Sequence, residues 1–389
     1  MVYNMKYLSE NIITNKRVIV RCDFNVPVKN GIVEDNLKII NSLKTLNYLL
    51  NNNNKVIILS HFGRVKEESD KENNSLKSVF EELKKHIDVE FIEDPLKLEN
   101  INSSTKKCFL VENTRYTDLP SKRESNNDLE LAKYWSQFAD VFVLDAFGSS
   151  HRAHSSTAGI SKYLPTFLGF LVQEELTNLD FLIENKEQRF AVIMGGAKVD
   201  DKIKIIESLI NKCDVLFLTG GILNTFLKVA GENIGKSLSS NDEEVVSLVK
   251  KILENNKDKI YFTNQFVVNR DGIIHSVKLN EIKEEDIIYD NIPNISKVIS
   301  QDDIVFLNGT CGKYEDDDYS FGTLKLFEAL KKSGSKVIIG GGDTASAVNK
   351  LSSEKNFYYV STGGGASLEY IAYENLKALE WIKNNGVEN

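Results

Sequence analysis

The chain has 389 residues, of which 41% are hydrophobic and 27% are charged, a composition typical of a globular protein with room for two domains. Its formal net charge of −8 argues against a nucleic acid or an anionic membrane as the main partner, so any positive patch has to be local. No apolar run reaches the ~20 residues of a membrane span, and the N-terminus does not resemble a signal peptide. We therefore expect a cytoplasmic protein that acts on small molecules.

Short β-branched strands alternate with helical stretches through the first half of the chain, which predicts a parallel sheet with crossover helices. The predicted strands are residues 17–21, 55–60, 108–111 and 141–144. The segments that follow them read "CDFNVPV", "HFGR", "ENTRY" and "DAFGSSHRAH". Open α/β sheets bind ligands beyond the carboxyl ends of their strands, so these segments are candidate site loops. The candidate cations and imidazoles that follow these strands are Lys38, His61, Arg64, Arg115, His151, Arg152 and His154.

The second half repeats the alternation but places glycines after its strands. The predicted strands are residues 190–194, 214–218, 303–307, 336–340 and 357–360. They are followed by "GGAKVDDKI", "TGGILNTF", "NGTCGKYE", "GGDTAS" and "STGGGAS". We place the boundary between the halves near "FLGFLVQEEL", residues 167–176, and expect an interdomain helix there.

The segment "IIGGGDTASAV", residues 338–348, has the features of a phosphate site. Glycines after a strand let backbone N–H groups approach an anion, and the helix that follows adds its positive end. Asp343 would repel an anion on its own, so we interpret it as a ligand of Mg²⁺ that bridges phosphates gripped by Thr344 and the amides. The alternative is an Asp that caps a helix. Similar glycines favour the nucleotide interpretation, at Gly195–Gly196, Gly220–Gly221 and Gly363–Gly365.

Two lysines follow the first of these glycine pairs. Lys198 and Lys202 are four residues apart, which places both on one face of the helix that we predict there. At the start of a helix they could neutralise phosphates or the charge on a phosphoryl group in transfer. A solvated surface pair is the alternative. The sequence has no GxxxxGK[ST] motif, so it is not a P-loop enzyme.

Taken together, these segments resemble the signatures of the phosphoglycerate kinase family. The resemblance covers about residues 6–370 and is weak near 260–300. The matching strings, in chain order, are "RCDFNVP", "SHFGR", "ENTRY", "DAFGSSHRAHSS", "GGAKVDDKI", "NIGKSL", "GGGDTASAV" and "STGGGASLE".

The resemblance implies an α/β fold of two Rossmann-like, doubly wound parallel-sheet domains that face each other across a hinged cleft. We expect a phosphoglycerate-binding domain at residues 1–168 and a nucleotide-binding domain at 169–370, with the segment 371–389 packing back on the first domain. The implied reaction is reversible phosphoryl transfer between 1,3-bisphosphoglycerate and MgADP, which gives 3-phosphoglycerate and MgATP. Mg²⁺ is thus the implied cofactor, and we expect a monomer.

The resemblance also implies roles for individual residues. The substrate side comprises Asp23, Phe24, Asn25, Lys38, His61, Phe62, Gly63, Arg64, Arg115 and Arg152. The nucleotide side comprises Gly196, Lys198, Lys202, Gly220, Gly221, Asn308, Glu315, Gly341, Gly342, Asp343 and Thr344. The implied catalytic residues are Lys38, Lys198, Gly341 and Gly364, and Asp343 is the implied metal ligand. A small polyanionic substrate needs several converging cations, which agrees with the first set.

The sequence departs from the family pattern at several positions. Lys38 replaces an arginine and keeps the charge but loses its planar fork. On the nucleotide side, "IIYDNIPN" replaces a glycine-bearing adenine-side loop, and "YFTNQFVV" carries Gln265 in place of an acid. Further changes are Thr310 for a proline, Lys313 in an apolar position, Glu174 for a lysine, and a tail without the family's Pro-Gly ending.

Three functional hypotheses are compatible with this sequence. The first is a working phosphoglycerate kinase, and the second is a kinase of the same fold that acts on another phosphorylated carboxylate. The third is a non-catalytic binding protein, which the altered base pocket and Lys38 would support. Against the third stands the presence of Lys198, Lys202, Asp343 and Thr344.

Overall fold

The chain divides into two compact units. A computed structural model of the protein describes residues 5–387, so the outermost parts of the predicted segments 1–168 and 371–389 lie outside the described residues. The division falls after Thr177 and again after Glu374, and the segment from Asn375 onward belongs to the first unit. The expected boundary between residues 168 and 169 therefore lies slightly before the first division.

The first unit is built on a six-stranded parallel sheet with the order β5-β6-β4-β1-β7-β8. Its strands are β1 (Arg17–Cys22), β2 (Val28–Lys29), β3 (Ile32–Val33), β4 (Lys55–Leu59), β5 (Glu90–Ile92), β6 (Cys108–Val111), β7 (Val141–Asp145) and β8 (Thr166–Leu168). Its helices are α1 (Leu37–Asn51), α2 (Asp70–Asn73), α3 (Lys77–Leu83), α4 (Leu129–Ser136) and the first part of α5 (Phe170–Glu184).

The second unit has its own six-stranded parallel sheet, with the order β11-β10-β9-β15-β16-β17. The strands of this unit are β9 (Phe190–Met194), β10 (Val215–Leu218), β11 (Ile260–Tyr261), β12 (Gln265–Arg270), β13 (Ile273–Lys278), β14 (Ile287–Asn291), β15 (Ile304–Asn308), β16 (Lys336–Gly340) and β17 (Tyr359–Val360). Its helices are α6 (Val199–Leu209), α7 (Gly220–Val229), α8 (Glu243–Asn256), α9 (Phe321–Ser333), α10 (Gly342–Leu351) and α11 (Gly365–Tyr373), and α12 (Lys377–Asn385) follows in the first unit.

These two parallel sheets confirm the predicted α/β class. In the second sheet the chain runs outward from β9 through β10 to β11 and then returns to the other side of β9 with β15. The loops after β9 and β15 therefore diverge in opposite directions, which opens a crevice at the carboxyl edge of the sheet. In the first sheet β4 and β7 flank β1 in the same way. Each sheet thus has one place where a ligand site is expected.

A three-stranded antiparallel sheet, with the order β13-β12-β14, was not predicted. The sequence analysis treated "IIYDNIPN" as a loop, and this was wrong, because its first part forms β14 and pairs with β12. Adjacent isoleucines and a tyrosine favour an extended strand. All three strands of this sheet lie in the segment 260–300, where the family resemblance is weak.

The C-terminal segment makes backbone hydrogen bonds within the first unit. The amide of Ala378, at the start of α12, donates to the carbonyl of Ser150 at 3.0 Å, and the amide of Val387 donates to Ser161 at 2.9 Å. A Pro-Gly ending is therefore not required for these contacts.

Each sheet is buried under amphipathic helices, which form a separate apolar core in each unit. The first core includes Val18, Val20, Leu46, Leu49 and Ile58, and the second includes Ile193, Leu307, Leu326, Phe327 and Ile339. Among residues 5–387, no helix is long and apolar enough to cross a membrane.

Gly340, at the carboxyl end of β16, is a glycine for reasons of packing. A Cβ atom placed on Gly340 would lie 2.4 Å from the ring of Phe306, which is fully buried on the neighbouring β15. By contrast, a Cβ on Gly342, the first residue of α10, would have nothing within 4 Å. The two glycines of the same motif therefore have different constraints.

We expect Gly340→Ala to destabilise the second unit by about 1–3 kcal/mol, because the ring of Phe306 has to move out of a packed core. Gly342→Ala is the matched control and should leave the free energy of unfolding unchanged or raise it by less than ~1 kcal/mol. Urea denaturation of both variants measures the difference. Equal stability of the two variants would refute the packing role of Gly340.

Candidate functional site

An acid and a lysine meet directly after β1. Asp23 is buried, and the Nζ atom of Lys38, in the first turn of α1, donates to Asp23 Oδ2 at 3.2 Å and to the carbonyl of Asn25 at 3.3 Å. Burial by itself would raise the pKa of Asp23, but the nearby charges of Lys38 and Arg21 outweigh it and lower that pKa below its ordinary value. Asp23 is therefore an ionised carboxylate that holds Lys38 at the sheet edge.

The loop after β4 is attached to the loop after β1. The side-chain oxygen of Asn25 accepts a hydrogen bond from the amide of Gly63 at 2.9 Å. The side chain of Asn113 accepts from the amide of Phe62 at 3.1 Å through Oδ1 and donates to the carbonyl of Phe62 at 2.6 Å through Nδ2. The rings of Phe24 and Phe62 lie in the apolar core, so these two predicted site residues could contact a ligand through their backbone.

The loops after β6 and β7 supply arginines to the same edge. Arg115 is buried, and its Nη1 atom donates to the carbonyl of Gly63 at 2.5 Å. Burial and then the charge of Arg152 lower the pKa of Arg115. Within residues 5–387 the buried Nε of Arg115 has no hydrogen-bond partner, so it has a donor to offer. Arg152 and the predicted Arg64 are exposed.

The sequence analysis missed a buried polar group beneath this edge. Arg21 has no exposed surface, and its guanidinium contacts His61 and Ser156. Ser156 in turn contacts the equally buried Glu124. The signal was available in "RVIVR", because an arginine at the end of a buried apolar strand requires partners.

Three histidines of the loops at this edge, His61, His151 and His154, are not cations at neutral pH. Burial and then the charge of Arg21 lower the pKa of His61 well below its ordinary value. Burial and the neighbouring arginines lower the pKa of His154 to about 3, and burial and Arg152 lower that of His151. The positive charge of this edge therefore comes from lysine and arginine side chains.

A cavity of about 410 Å³ lies at the carboxyl edge of the second sheet. The predicted nucleotide residues on its wall are Gly196, Lys202, Gly220, Gly221, Glu315 and Asp343. Other wall residues were not predicted as site residues, and they are mostly apolar: Leu238, Ile287, Ile288, Tyr289 and Tyr314. Polar groups thus occupy one part of the wall, and the apolar part includes three residues of β14.

Three glycines of the pairs Gly195–Gly196 and Gly220–Gly221 form part of the cavity wall, namely Gly196, Gly220 and Gly221. The amides of both pairs donate to acceptors of the protein itself, in contrast to the expected anion site. The amides of Gly195 and Gly196 donate to the carbonyls of Asn308 (2.8 Å) and Thr310 (3.0 Å). The amide of Gly220 donates to Asn291 Oδ1 (2.9 Å), and that of Gly221 donates to the carbonyl of Gly196 (3.1 Å). A Cβ on Gly195 would lie 2.1 Å from Thr219 Oγ1, so these glycines permit close packing of the loops.

The start of α10 is a candidate anion site. Gly341 precedes this helix with φ of +99°, and the first N–H groups of a helix have no partner within it. The buried hydroxyl of Thr344 accepts from the amide of Gly309 at 2.7 Å, and Asn308 Nδ2 donates to the carbonyl of Gly340 at 3.0 Å. Thr344 and Asn308 therefore fix the loops after β15 and β16 to each other.

Gly364 and Glu315 lie at the carboxyl edge of the same sheet. Gly364 precedes α11 with φ of +58°, and its carbonyl accepts from Ser367 Oγ at 2.9 Å. A Cβ on Gly340 would lie 3.2 Å from the same Ser367 oxygen, so the start of α11 is next to the end of β16. Glu315 has an exposed carboxylate, and its carbonyl accepts from Lys350 at 2.9 Å.

The two predicted lysines have different environments. Lys202 donates from Nζ to the carbonyl of Gly195 at 2.7 Å. Burial lowers the pKa of Lys202 to about 8, although the charge of Asp343 opposes this and Lys198 adds to it. Lys198, the residue before α6, is 77% exposed and places its Nζ atom 3.8 Å from Asp343 Oδ2. Although the spacing placed Lys198 and Lys202 on one helix face, Lys198 is much more exposed than Lys202.

A metal at Asp343 would need ligands from a bound molecule. Within the described part of the chain, no three His, Cys, Asp or Glu side chains are grouped so that they could hold a metal ion. The exposed Asp343 carboxylate on the cavity wall fits Mg²⁺, which is usually held by one or two carboxylates together with phosphate oxygens.

Comparisons with known proteins agree with this geometry. The family model for phosphoglycerate kinase matches residues 8–374. The phosphoglycerate kinase of Finegoldia magna is 40% identical over 398 residues, which cover 97% of this chain and 99% of that protein. The Staphylococcus epidermidis enzyme is 38% identical over 396 residues, with coverage of 97% and 99%.

Solved structures of phosphoglycerate kinases are similar to nearly the whole chain. The phosphoglycerate kinase from Coxiella burnetii has a TM-score of 0.82 at 34% identity and covers 98% of each chain. The enzyme from Pyrococcus horikoshii OT3 has a TM-score of 0.84 at 25% identity, with coverage of 98% of this chain and 100% of that one.

We expect NMR of ¹³C-labelled lysines to show that Lys202 loses its proton as the pH rises through about 8. The negative charge of Asp343 favours the protonated form, so Asp343→Asn should lower the pKa of Lys202. Lys198→Met should raise it, because a neighbouring positive charge is removed. A Lys202 pKa that responds to neither variant would contradict the arrangement of these three side chains.

Proposed function

Because the chain belongs to the phosphoglycerate kinase family and catalyses reversible phosphoryl transfer between 1,3-bisphosphoglycerate and ADP, we propose that its first unit binds the glycerate and its second unit binds the nucleotide. The family and its near relatives do not favour a kinase for another acid or a non-catalytic binding protein. The two units carry different chemistry at their sheet edges, and this difference supports the division.

The observation that carries the assignment of the first unit is the cluster of cations at one sheet edge. Lys38, Arg115 and Arg152 reach this edge from α1 and from the loops after β6 and β7. A glycerate that carries a phosphate and a carboxylate, or two phosphates, is a small polyanion that such a cluster can bind. We assign the phosphate and carboxylate to the arginines, including Arg64, and the orientation of the glycerate to Asp23 and Asn25.

The assignment of the second unit rests on its cavity. The apolar wall of Leu238, Ile287 and Tyr289 suits a nucleobase, whereas Glu315 suits the hydroxyls of a ribose. Lys202 and the first amides of α10 are the donors that we assign to the phosphates of the nucleotide. Gly220 and Gly221 shape the wall by allowing close approach of the loops.

Phosphoryl transfer requires little covalent chemistry from a protein, because alignment and charge stabilisation are sufficient. We assign Lys38 to the negative charge that develops on the transferring group from the glycerate side. We assign the corresponding role on the nucleotide side to the exposed side chain of Lys198. Gly341 and Gly364 contribute backbone at the starts of α10 and α11.

We propose that Asp343 holds Mg²⁺ together with the nucleotide phosphates. When bound, the ion would neutralise phosphate charge and fix the orientation of the phosphates. The pairing of Asp343 with Lys198 at 3.8 Å is loose, so the carboxylate can exchange one cation for another. We also propose that the protein works as a cytoplasmic monomer, since each proposed binding site is supplied by a single chain.

If Asp343 is the metal ligand, Asp343→Asn should weaken the binding of MgADP at least tenfold and change the binding of metal-free ADP by less than about twofold. Isothermal titration calorimetry with Mg²⁺ and with EDTA measures both. Glu315→Gln is the matched control on the same cavity wall, and it should weaken both forms of ADP equally. If Asp343→Asn also weakens both equally, the carboxylate only caps α10.

A coupled assay with 3-phosphoglycerate and MgATP tests Lys38 and with it the proposed function. A planar guanidinium can contact two oxygens where an ammonium contacts one, so Lys38→Arg should raise kcat and barely change the Michaelis constant. Lys38→Ala should lower kcat about 10- to 100-fold, because one charge-assisted hydrogen bond is worth ~1.5–3 kcal/mol.

Lys44→Arg serves as the control for these variants, because Lys44 lies on the same helix and is exposed. It should leave kcat unchanged. Near-normal turnover of Lys38→Ala would remove Lys38 from the reacting centre.

A further inference from the structure

A chain of hydrogen bonds connects a buried acid to His61 at the edge of the first sheet. Arg21 Nε donates to Ser156 Oγ at 2.8 Å, and Arg21 Nη2 lies 3.1 Å from Nδ1 of His61. Ser156 donates its hydroxyl to Glu124 Oε1 in a short hydrogen bond. Arg21, Ser156 and Glu124 are all fully buried. We name this set, Glu124, Ser156 and Arg21, the buried relay.

The direction of each hydrogen bond in the buried relay is fixed by chemistry. A guanidinium has donors and no acceptor, so Nδ1 of His61 has to accept from Arg21. A neutral imidazole carries one proton, which must then be on Nε2. At the other end, Ser156 can accept from Arg21 because it donates its hydroxyl proton to the carboxylate of Glu124. Glu124 also accepts from the amide of Ser156 at 3.0 Å and from Thr114 Oγ1 at 3.2 Å.

We propose that the buried relay of Glu124, Ser156 and Arg21 locks His61 in the neutral tautomer that carries its proton on Nε2, so that His61 serves the glycerate site as an uncharged hydrogen-bond donor. Arg21, Ser156 and Glu124 are positioning residues in this account, because they act through His61. The identity of the anion that receives the hydrogen bond rests on the proposed function, whereas the tautomer itself does not.

The surroundings of His61 also oppose its protonation. The charged groups that face it are Arg21 from β1, Asp23 from the loop after β1, Lys38 from α1 and Arg115 from the loop after β6. The three cations outnumber the single carboxylate of Asp23. Burial and the charge of Arg21 are the main reasons that the pKa of His61 is low. A proton on Nδ1 would in addition point at the donor group of Arg21.

His151 provides an internal contrast within the same unit. Its Nδ1 lies 2.9 Å from the carbonyl of Gly148, and a carbonyl can only accept. His151 therefore has its proton on Nδ1, the opposite tautomer from His61. Both rings are partly exposed, so the difference comes from their hydrogen-bond partners.

A neutral donor has a functional advantage at this edge. The glycerate carries acidic groups that several cations already bind, and an additional imidazolium would make affinity depend on pH near neutrality. A locked Nε2–H gives one directed hydrogen bond that stays constant across this range. The contribution of His61 to binding should therefore not change between about pH 5.5 and pH 8.

The test is NMR of the substrate-free protein labelled with ¹⁵N-histidine. Long-range proton–nitrogen spectra distinguish protonated from unprotonated ring nitrogens, and His61→Gln and His151→Gln assign the signals by their loss. We expect His61 to have its proton on Nε2, and His151 on Nδ1, throughout about pH 5.5–8. A proton on Nδ1 of His61, exchange between both tautomers, or titration to an imidazolium near pH 6.5 would overturn the proposal.

Arg21→Met removes the donor to Nδ1, so His61 should populate both tautomers and protonate at a more ordinary pH. The Michaelis constant for 3-phosphoglycerate should rise about three- to tenfold at pH 8. Its ratio to the wild-type constant should fall as the pH decreases below about 6.5, because an imidazolium attracts the anion. Ionisation of the substrate affects both Michaelis constants equally and therefore does not change their ratio. A purely structural defect in the variant would leave this ratio independent of pH.

Ser156→Ala keeps the charge of Arg21 and tests the relay if Arg21→Met does not fold. It removes the acceptor that orients the Arg21 guanidinium, so the donor to Nδ1 of His61 is no longer held in place and the Nδ1–H tautomer of His61 should appear. A folded variant of either kind with an unchanged His61 tautomer would refute the relay. Failure of the proposed function is a separate result: His61→Ala, which leaves no donor at this position, would then leave the binding of 3-phosphoglycerate unchanged, whatever tautomer NMR shows.

Discussion

Parallel strand pairing is the constraint on which the rest of this structure depends. Every strand of each six-stranded sheet ends at the same edge, so residues far apart in the sequence meet there. This is how Asp23, Lys38, Gly63 and Arg115 are connected by hydrogen bonds although they follow or precede different strands. The backbone at such an edge is crowded, and close approach of the loops requires glycine at Gly195 and Gly309, where a Cβ would collide with neighbouring atoms.

The sequence predicted the parallel sheets because most of their strands are apolar runs bounded by turn residues. The predicted strands lie where this pattern placed them, but the short strands β5 and β8 were not predicted. It did not predict the antiparallel sheet of β12, β13 and β14, because these strands lie in the segment with weak family resemblance. Within the site, the lysines and exposed acids were identified by their position after strands. The hydrogen bonds of Gly196 and Gly220 could not be predicted, since they depend on contacts between loops that are distant in the chain.

The first unit has buried polar side chains beneath its sheet edge because it buries a charged residue there. Arg21 is a fully buried cation, and such a group is costly unless it is paired and hydrogen-bonded. Ser156 and Glu124 are therefore needed to stabilise Arg21 in the fold, and Arg21 in turn donates to His61. On the second unit the same principle acts on Lys202, which is half-buried, donates to the carbonyl of Gly195 and has a pKa lowered to about 8. Both sheet edges thus hold partly desolvated groups whose protonation depends on their neighbours.

The central claim is that the two units bind different substrates. Hydrogen–deuterium exchange of the whole protein, measured with 3-phosphoglycerate alone and with MgADP alone, tests it most directly. We predict that 3-phosphoglycerate slows exchange in the loops after β1, β4, β6 and β7. MgADP should instead slow exchange in the loops after β9 and β15 and at the start of α10. Protection of the second unit's loops by 3-phosphoglycerate alone, with none in the first unit, would contradict the account.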